Sequence, residues 1–217
     1  MIRAAVIAGL SVGCATAPGP RRQVFSSAAA AEGYPCVLHD PREWRVNFMV
    51  QQSIDVRAVH DGRTSLGHLD AVVQKQDDTL VIVGLGPMNT RAFTLAQRGA
   101  RVEFEQFLGP DLPFSPRNIL VDVHRVFFKA LPRPGGAAGT GVVRGLLDGE
   151  TVEERWADGE LRGRSFARPG TALRGAVRVE YGAGCRPERC EPASVTVENE
   201  WFGYTLAITN HGYEAID

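Results

Sequence analysis

Apolar and polar residues alternate through most of the chain, a pattern typical of half-buried β-strands. In residues 44–50 the alternation places Trp44, Val46 and Phe48 on one face. The predicted strands comprise residues 44–50, 51–60, 65–75, 79–84, 91–95, 101–107, 151–156, 160–166, 172–181, 194–198 and 204–209. Several are joined by links too short for anything but antiparallel pairing. The pattern therefore predicts a mainly β domain, an antiparallel sheet of about eleven strands.

One segment, residues 115–128, changes from the strand period to a helical one. Ser115 suits an N-cap, and Pro116 suits the first helical position. The segment's apolar positions recur at helical spacing and include Ile119, Leu120, Val123 and Phe127. We expect this helix to cover the apolar face of the sheet.

The space between a curved sheet and a covering helix can hold a ligand or can be filled by the protein's own side chains. The candidate lining residues are Trp44, Val46, Phe48, Phe93, Phe104, Ile119, Leu120, Val123 and Phe127. As cavity walls, they would shield an acyl chain from water, at about 0.8 kcal/mol for each buried methylene. As core residues, they would pack on one another. The sequence leaves both interpretations open.

The first residues are typical of a bacterial targeting signal. A basic start at Arg3 precedes an apolar run and a small-residue site that ends at Cys14. This resembles the signal peptide and lipobox of bacterial lipoproteins, in which the cysteine is lipidated with acyl chains such as palmitate. We expect residues 1–13 to be a signal peptide, residues 14–33 a lipidated flexible tether, and residues 34–217 a single domain. An ordinary cleaved signal or an unprocessed N-terminus remains the alternative.

Composition excludes several classes of function. The 24 Lys and Arg residues nearly balance the 25 Asp and Glu residues, so no nucleic-acid partner is expected. The five histidines are scattered and show no metal-ligand spacing or nucleophile–base set. We therefore expect neither an enzyme nor a metal site, and no cofactor.

The chain has four cysteines, and their spacing does not match a zinc-binding pattern. Cys185 and Cys190 are close in sequence, and an oxidising compartment would allow a disulfide between them. Cys36 is left over, so a bridge from Cys36 to either of the two stays open.

Two longer stretches carry a family resemblance. Residues 78–95 contain Leu-Val-Ile-Val-Gly-Leu followed by Arg-Ala-Phe-Thr-Leu, and residues 112–124 contain a Pro-rich corner and an acidic, aliphatic helix. Together they resemble a family of bacterial lipoproteins defined as a domain of unknown function. The genes of that family often lie beside aryl-polyene or fatty-acid-like synthesis clusters.

That family is similar in layout to the LolA/LolB-like carriers of lipoprotein localisation, which fold as an unclosed β-barrel with covering helices. The resemblance implies a lipoprotein on the periplasmic face of the outer membrane that handles a lipid or an acyl- or polyene-bearing molecule, with a periplasmic carrier or exporter as partner. It also implies that the loop at residues 84–89 contacts the membrane through Met88, with Leu85 beside it. The alternative is a structural or assembly lipoprotein that binds an envelope protein.

Overall fold

The computed structural model describes residues 19–26, 37–108, 116–132, 139–168, 176–183, 185–186 and 190–216. The predicted signal peptide, the predicted lipidation site Cys14, the leftover Cys36 and the predicted N-cap Ser115 lie outside the described residues.

Within these ranges, twelve antiparallel strands form one sheet, in the order β1-β6-β5-β4-β3-β2-β12-β11-β10-β9-β8-β7. The strands are β1 (Arg21–Ser26), β2 (Phe48–His60), β3 (Arg63–Gln76), β4 (Thr79–Leu85), β5 (Arg91–Arg98), β6 (Arg101–Gln106), β7 (Gly141–Leu147), β8 (Glu150–Ala157), β9 (Glu160–Ala167), β10 (Val177–Tyr181), β11 (Ser194–Asn199) and β12 (Tyr204–Ala215). Strands β1 and β7 end the order, so the sheet is not closed in the described part of the chain. The predicted mainly β, unclosed antiparallel fold is confirmed.

Short turns connect most neighbouring strands and set their register. In the β2–β3 hairpin, Asp61 and Gly62 both have positive φ angles, of 49° and 73°. Asp158 and Gly159 repeat this arrangement between β8 and β9, with φ angles of 53° and 76°. Such turns match the right-handed twist of the strands they join. The first and last segments of the domain meet where β2 pairs with β12, and this pairing unites the two halves of the sheet.

Three strand predictions need correction. Arg21–Ser26, expected to belong to the flexible tether, forms β1 and pairs with β6, where Phe25 opposite Val102 packs against the core. Gly141–Leu147, which was not predicted, forms β7. Both are end strands with mostly exposed side chains, so they lack the clear alternation of a half-buried strand.

The predicted first strand begins four residues late, at Phe48. A 3-10 turn at Pro41–Glu43, capped by Asp40, precedes it. The buried Lys75 then donates from Nζ to the Trp44 carbonyl at 2.5 Å and to Asn47 Oδ1 at 2.9 Å. These bonds hold residues 44–47 outside the sheet, which is why Val46 is half exposed and does not share the buried face of Phe48.

The helix bounds match the prediction. Helix α1 (Pro116–Val123) continues into a π-helical turn, His124–Phe128. Its first half contributes Leu120 and Val121 to a core cluster formed with β2–β6. The π-turn contributes Val126 to a second cluster formed with β8–β12. The helix therefore packs against both halves of the sheet. No helix among the described residues has the length and apolar character needed to cross a membrane.

Candidate functional site

A cavity of about 440 Å³ opens between the π-turn and the second half of the sheet. This volume falls within the roughly 300–1,000 Å³ range of small-molecule sites. Its apolar lining comprises Trp44, Val46, Phe48, Phe127, Phe128, Ala130, Leu131, Trp156, Leu161 and Tyr213. Its remaining lining comprises Arg45, Glu154, Arg164, Cys185, Arg186, Cys190 and Glu191.

The nine predicted lining residues divide between this cavity and a packed core. Trp44, Val46, Phe48 and Phe127 line the cavity. The other five belong to the first core cluster or pack against it: Phe93, Phe104, Ile119, Leu120 and Val123. None of these five residues lines the cavity. The two interpretations left open by the sequence thus apply to different regions of the same face.

Stacked aromatic rings form one wall of the cavity. Trp44 and Phe128 stack with ring centroids 3.4 Å apart and planes 9° from parallel. Phe48 lies 5.7 Å from Phe127 and 5.4 Å from Tyr213, between ring centroids. Aromatic pairs of this kind give a wall that is rigid and apolar.

A buried ion pair also lines the cavity. Arg164 donates from Nε to Glu154 Oε1 at 2.9 Å, and Trp156 donates from Nε1 to Glu154 Oε2 at 3.2 Å. The Leu131 amide also donates to Glu154 Oε1, at 3.2 Å. Since both carboxylate oxygens already accept hydrogen bonds, this pair costs less to place beside an apolar ligand than a free charge would.

The same arginine helps to explain the π-turn. Arg164 Nη1 donates to the carbonyls of Arg125 and Val126 at 3.2 and 3.3 Å, and Tyr181 Oη donates to the Val126 carbonyl at 2.7 Å. Burial raises the pKa of Tyr181 to about 12, so its hydroxyl keeps the proton it donates. The Lys129 amide closes the turn on the His124 carbonyl at 2.8 Å. Side chains of β9 and β10 therefore satisfy the carbonyls that the helix end leaves open.

Buried charges attach the helix to the second half of the sheet. Arg125, 1% exposed, donates from Nη2 to Glu150 Oε1 at 2.6 Å and approaches Asp122 Oδ1 at 3.3 Å. Asp122 in turn accepts hydrogen bonds from the Tyr204 hydroxyl and from Asn199 Nδ2. These contacts reach β8 and both strands that flank the β11–β12 turn.

A buried histidine attaches the helix to the first half. His124 Nδ1 accepts from the His39 amide at 3.3 Å, so Nε2 carries the proton and donates to Gln97 Oε1 at 2.9 Å. Burial, reinforced by the positive charges of Lys129, His39 and Arg117, holds the pKa of His124 well below its usual value. The ring is therefore neutral, and its two hydrogen bonds fix one tautomer.

Asp148 joins the segment before β2 to the end of the helix. It accepts hydrogen bonds from Lys129 Nζ at 2.6 Å and from His39 Nε2 at 2.7 Å. Burial opposes the charge on His39, but the hydrogen bonds to Asp148 and Glu43 outweigh it and raise the pKa of His39. Burial opposes the charge on Asp148 too, yet Lys129 and His39 together lower its pKa.

The helix is consequently a fixed element between the halves, held by polar groups that the sequence pattern did not identify. His124 is fully buried. Arg117, Asp122 and Arg125 are also buried, although an amphipathic pattern places such residues in solvent. The density of charged residues within an otherwise apolar helix was the one signal in the sequence that could have indicated this.

Two further predicted sites have a defined place. Cys185 and Cys190 form a disulfide, and both line the cavity. Met88 lies in a 3-10 turn, Pro87–Asn89, and its side chain is 94% exposed, while Leu85 at the end of β4 is half buried. The Gly86 amide donates to the Thr90 carbonyl at 2.7 Å, which fixes the base of this loop.

The start of β1 lies at the same end of the sheet as Met88. Arg21 pairs with Gln106, the last residue of β6. The next two residues, Phe107 and Leu108, donate their amides to the Ala92 carbonyl, and a Cβ added at Gly86 would lie 3.7 Å from Leu108 Cδ1. The chain therefore enters the sheet beside the loop that carries Met88.

Within the described part of the chain, no group of three or more His, Cys, Asp or Glu side chains is arranged to hold a metal ion.

Two distant likenesses are among the solved structures that match this chain. One is a LolA superfamily protein of Nitrosomonas europaea, with 11% identity, a TM-score of 0.43, and coverage of 83% of this chain and 89% of that chain. The other is a domain described as an outer membrane lipoprotein-sorting protein, from Vibrio parahaemolyticus, with 7% identity, a TM-score of 0.47, and coverage of 81% and 87%.

The comparison with curated proteins found no match. The family model described as "Protein of unknown function (DUF3261)" matches residues 49–212, from the second residue of β2 into β12. This match spans more than half of the chain, so the chain belongs to the DUF3261 family.

Proposed function

We propose that this protein binds a lipid, or another molecule with an acyl or polyene chain, and helps its transfer at the periplasmic face of the outer membrane. The observation that carries the proposal is the cavity of about 440 Å³ beside the π-turn, with its aromatic and aliphatic walls. Burial of about eight methylenes there would contribute roughly 6 kcal/mol, enough to retain a chain before headgroup contacts are counted.

The fixed helix supports binding within a preformed cavity. Because hydrogen bonds and ion pairs tie the helix to both halves of the sheet, little conformational order has to be gained when a ligand enters. Access is then through the open side of the cavity, where the exposed Val46 and Ala130 lie, and does not require the helix to swing away.

The loop with Met88 supports delivery to a membrane. In this proposal, lipidated Cys14 anchors the chain, and β1 enters the sheet beside Met88, so the anchor brings that loop to the bilayer. A fully exposed thioether side chain at the tip of a loop can enter the apolar boundary of a membrane without disturbing the core. A periplasmic carrier or exporter would supply the cargo.

The test is binding of the fluorescent fatty acid cis-parinaric acid to the purified mature chain, with lipid extraction and mass spectrometry of the protein as isolated. Ala130→Trp fills an exposed position of the wall and should weaken binding about tenfold or more, whereas Ala207→Trp, an exposed alanine of β12 outside the cavity, should not. Absence of both fluorescence enhancement and extracted lipid would contradict the proposal.

One observation favours the second candidate, an assembly lipoprotein with a protein partner. Strand β7 ends the sheet order and exposes Val142 and Leu146 by 51% and 73%. An end strand with exposed apolar residues can accept a strand from another protein. Recovery of a stable protein partner from detergent-solubilised envelope, together with no bound lipid, would favour this function.

A further inference from the structure

We infer that the ligand of the cavity is an amphiphile with an anionic end, and that Arg45 and Arg186 bind that end at the mouth. This inference rests on the proposed function and specifies its ligand class. Both arginines line the cavity, and both are exposed. Residues that meet these two conditions lie where the cavity opens to solvent, so a chain held inside would present its end group to them.

Arg45 has a fixed backbone and a free charge. Its neighbours are held by Lys75, which donates to the Trp44 carbonyl and to Asn47 Oδ1. In the described part of the chain, no carboxylate pairs with the Arg45 guanidinium. The adjacent Trp44 stacks on Phe128 inside the cavity. The chain thus places an unpaired cation directly beside the aromatic wall.

Among the described residues, Arg186 has one competitor for an anion. Its Nε lies 3.6 Å from Glu160 Oε1, and the two side chains are 69% and 16% exposed. Glu160 already pairs with Arg162 at 3.0 Å. An ion pair of this length with an exposed arginine contributes little. Arg186 follows Cys185 of the disulfide, which fixes its position at the cavity.

The other charges of the lining leave the mouth positive. Arg164 and Glu154 bind one another in the wall, at 2.9 Å. Of the remaining charged lining residues that the structure describes, Arg45 and Arg186 are cationic and Glu191 is anionic. Guanidinium groups bind carboxylate and phosphate with paired hydrogen bonds, so either anionic group suits this mouth.

The experiment measures displacement of N-phenyl-1-naphthylamine, a neutral apolar fluorophore, from the purified mature chain at pH 7.5. The competitors share one chain length: dodecanoate, dodecyl phosphate, dodecan-1-ol and dodecylammonium. Acetate and inorganic phosphate test the anionic groups without a chain. We expect the two anionic amphiphiles to bind about five- to tenfold more tightly than the alcohol, the ammonium to bind weakest, and the free anions not to compete.

The Arg45→Gln/Arg186→Gln double variant should lower the affinity for both anionic amphiphiles to that of the alcohol and leave fluorophore binding unchanged. Arg98→Gln/Arg144→Gln removes two exposed arginines that do not line the cavity and should change nothing. Equal affinities for all four amphiphiles, or an equal loss for all four in the double variant, would overturn the anionic preference while leaving the proposed cavity function standing. Failure of the fluorophore and every amphiphile to bind would overturn both.

Discussion

Arg125 and Glu150 form a buried ion pair between the π-turn and β8, with 2.6 Å between Nη2 and Oε1 and side-chain exposures of 2% and 3%. A pair so deeply buried is costly to create but more costly to break. It therefore acts as a specific attachment of the helix to one half of the sheet.

Removal of one partner of this pair should destabilise the domain strongly. Arg125→Met leaves Glu150 charged and buried, and we expect the free energy of unfolding to fall by about 3–5 kcal/mol. Arg125→Met/Glu150→Met should recover part of that loss, because the buried charge of Glu150 is removed, although Asp122 still loses its contact with Arg125 at 3.3 Å. Urea unfolding of the wild type, the two single variants and the double variant gives the coupling energy. Simple additivity of the two single losses would show that the pair does not act as a unit.

His124 should make the domain acid-sensitive well above the range in which carboxylates titrate. Its pKa is held below the ordinary value of 6.5 in the folded chain, so below that pH the unfolded chain binds a proton that the folded chain does not. Stability should therefore fall as the pH falls from 6.5, by up to about 1.4 kcal/mol per pH unit. Urea midpoints at pH 7.5, 6.5 and 5.5 measure the loss.

His39, whose amide donates to His124, affects the pH dependence of stability in the opposite direction. The pKa of His39 is raised, so its contribution is complete on the acid side and is lost as the pH rises through its folded pKa. It cannot cause a loss of stability below pH 6.5. His124→Gln should remove the slope between pH 6.5 and 5.5, whereas His68→Gln, at an exposed position, should keep it. A slope that persists in His124→Gln would assign the acid sensitivity to other groups.

Met88→Glu should separate delivery from folding. Because the side chain is 94% exposed, we expect the free energy of unfolding to change by no more than about 0.5 kcal/mol. Transfer of bound cis-parinaric acid to phosphatidylethanolamine–phosphatidylglycerol vesicles should slow about tenfold, because a charged side chain does not enter the apolar boundary. Stopped-flow fluorescence measures the rate.

Leu146→Glu is the matched control for the loop variant. Leu146 is 73% exposed on β7, which is eight places from β4 in the strand order, and its replacement introduces the same charge. Equal slowing by both variants would attribute the effect to net charge. If Met88→Glu does not slow transfer, the loop has no role in delivery and only connects β4 to β5.

The sequence predicted the strands that have one face in the core and the other nearer solvent. Strands β5 and β6 alternate clearly because Leu95 and Phe104 lie in the core while their neighbours lie nearer solvent. Strand β1 escaped detection because its pairing with β6 satisfies the backbone of a largely polar segment. A hydrogen-bonded partner that lies about eighty positions further along the chain leaves no local trace.

The candidate site was predictable only in part, for a related reason. Periodicity identified Phe48 and Phe127 as inward-facing, and both reach the cavity. It could not separate them from Phe104 and Leu120, since a filled core and an empty cavity require the same apolar residues. Part of the cavity lining is a buried ion pair between Arg164 and Glu154, opposite positions of β9 and β8, which hydrophobic periodicity does not identify.

Strand β1 has a consequence for how far the domain can travel. With Cys14 as the point of lipid attachment, seven peptide steps separate the lipid from Arg21, where the sheet begins. At no more than about 3.6 Å per residue, this segment can span at most about 25 Å. A domain held so close to the bilayer cannot ferry cargo across a compartment. It would work as a stationary receiver, and its ligand would have to be brought to it.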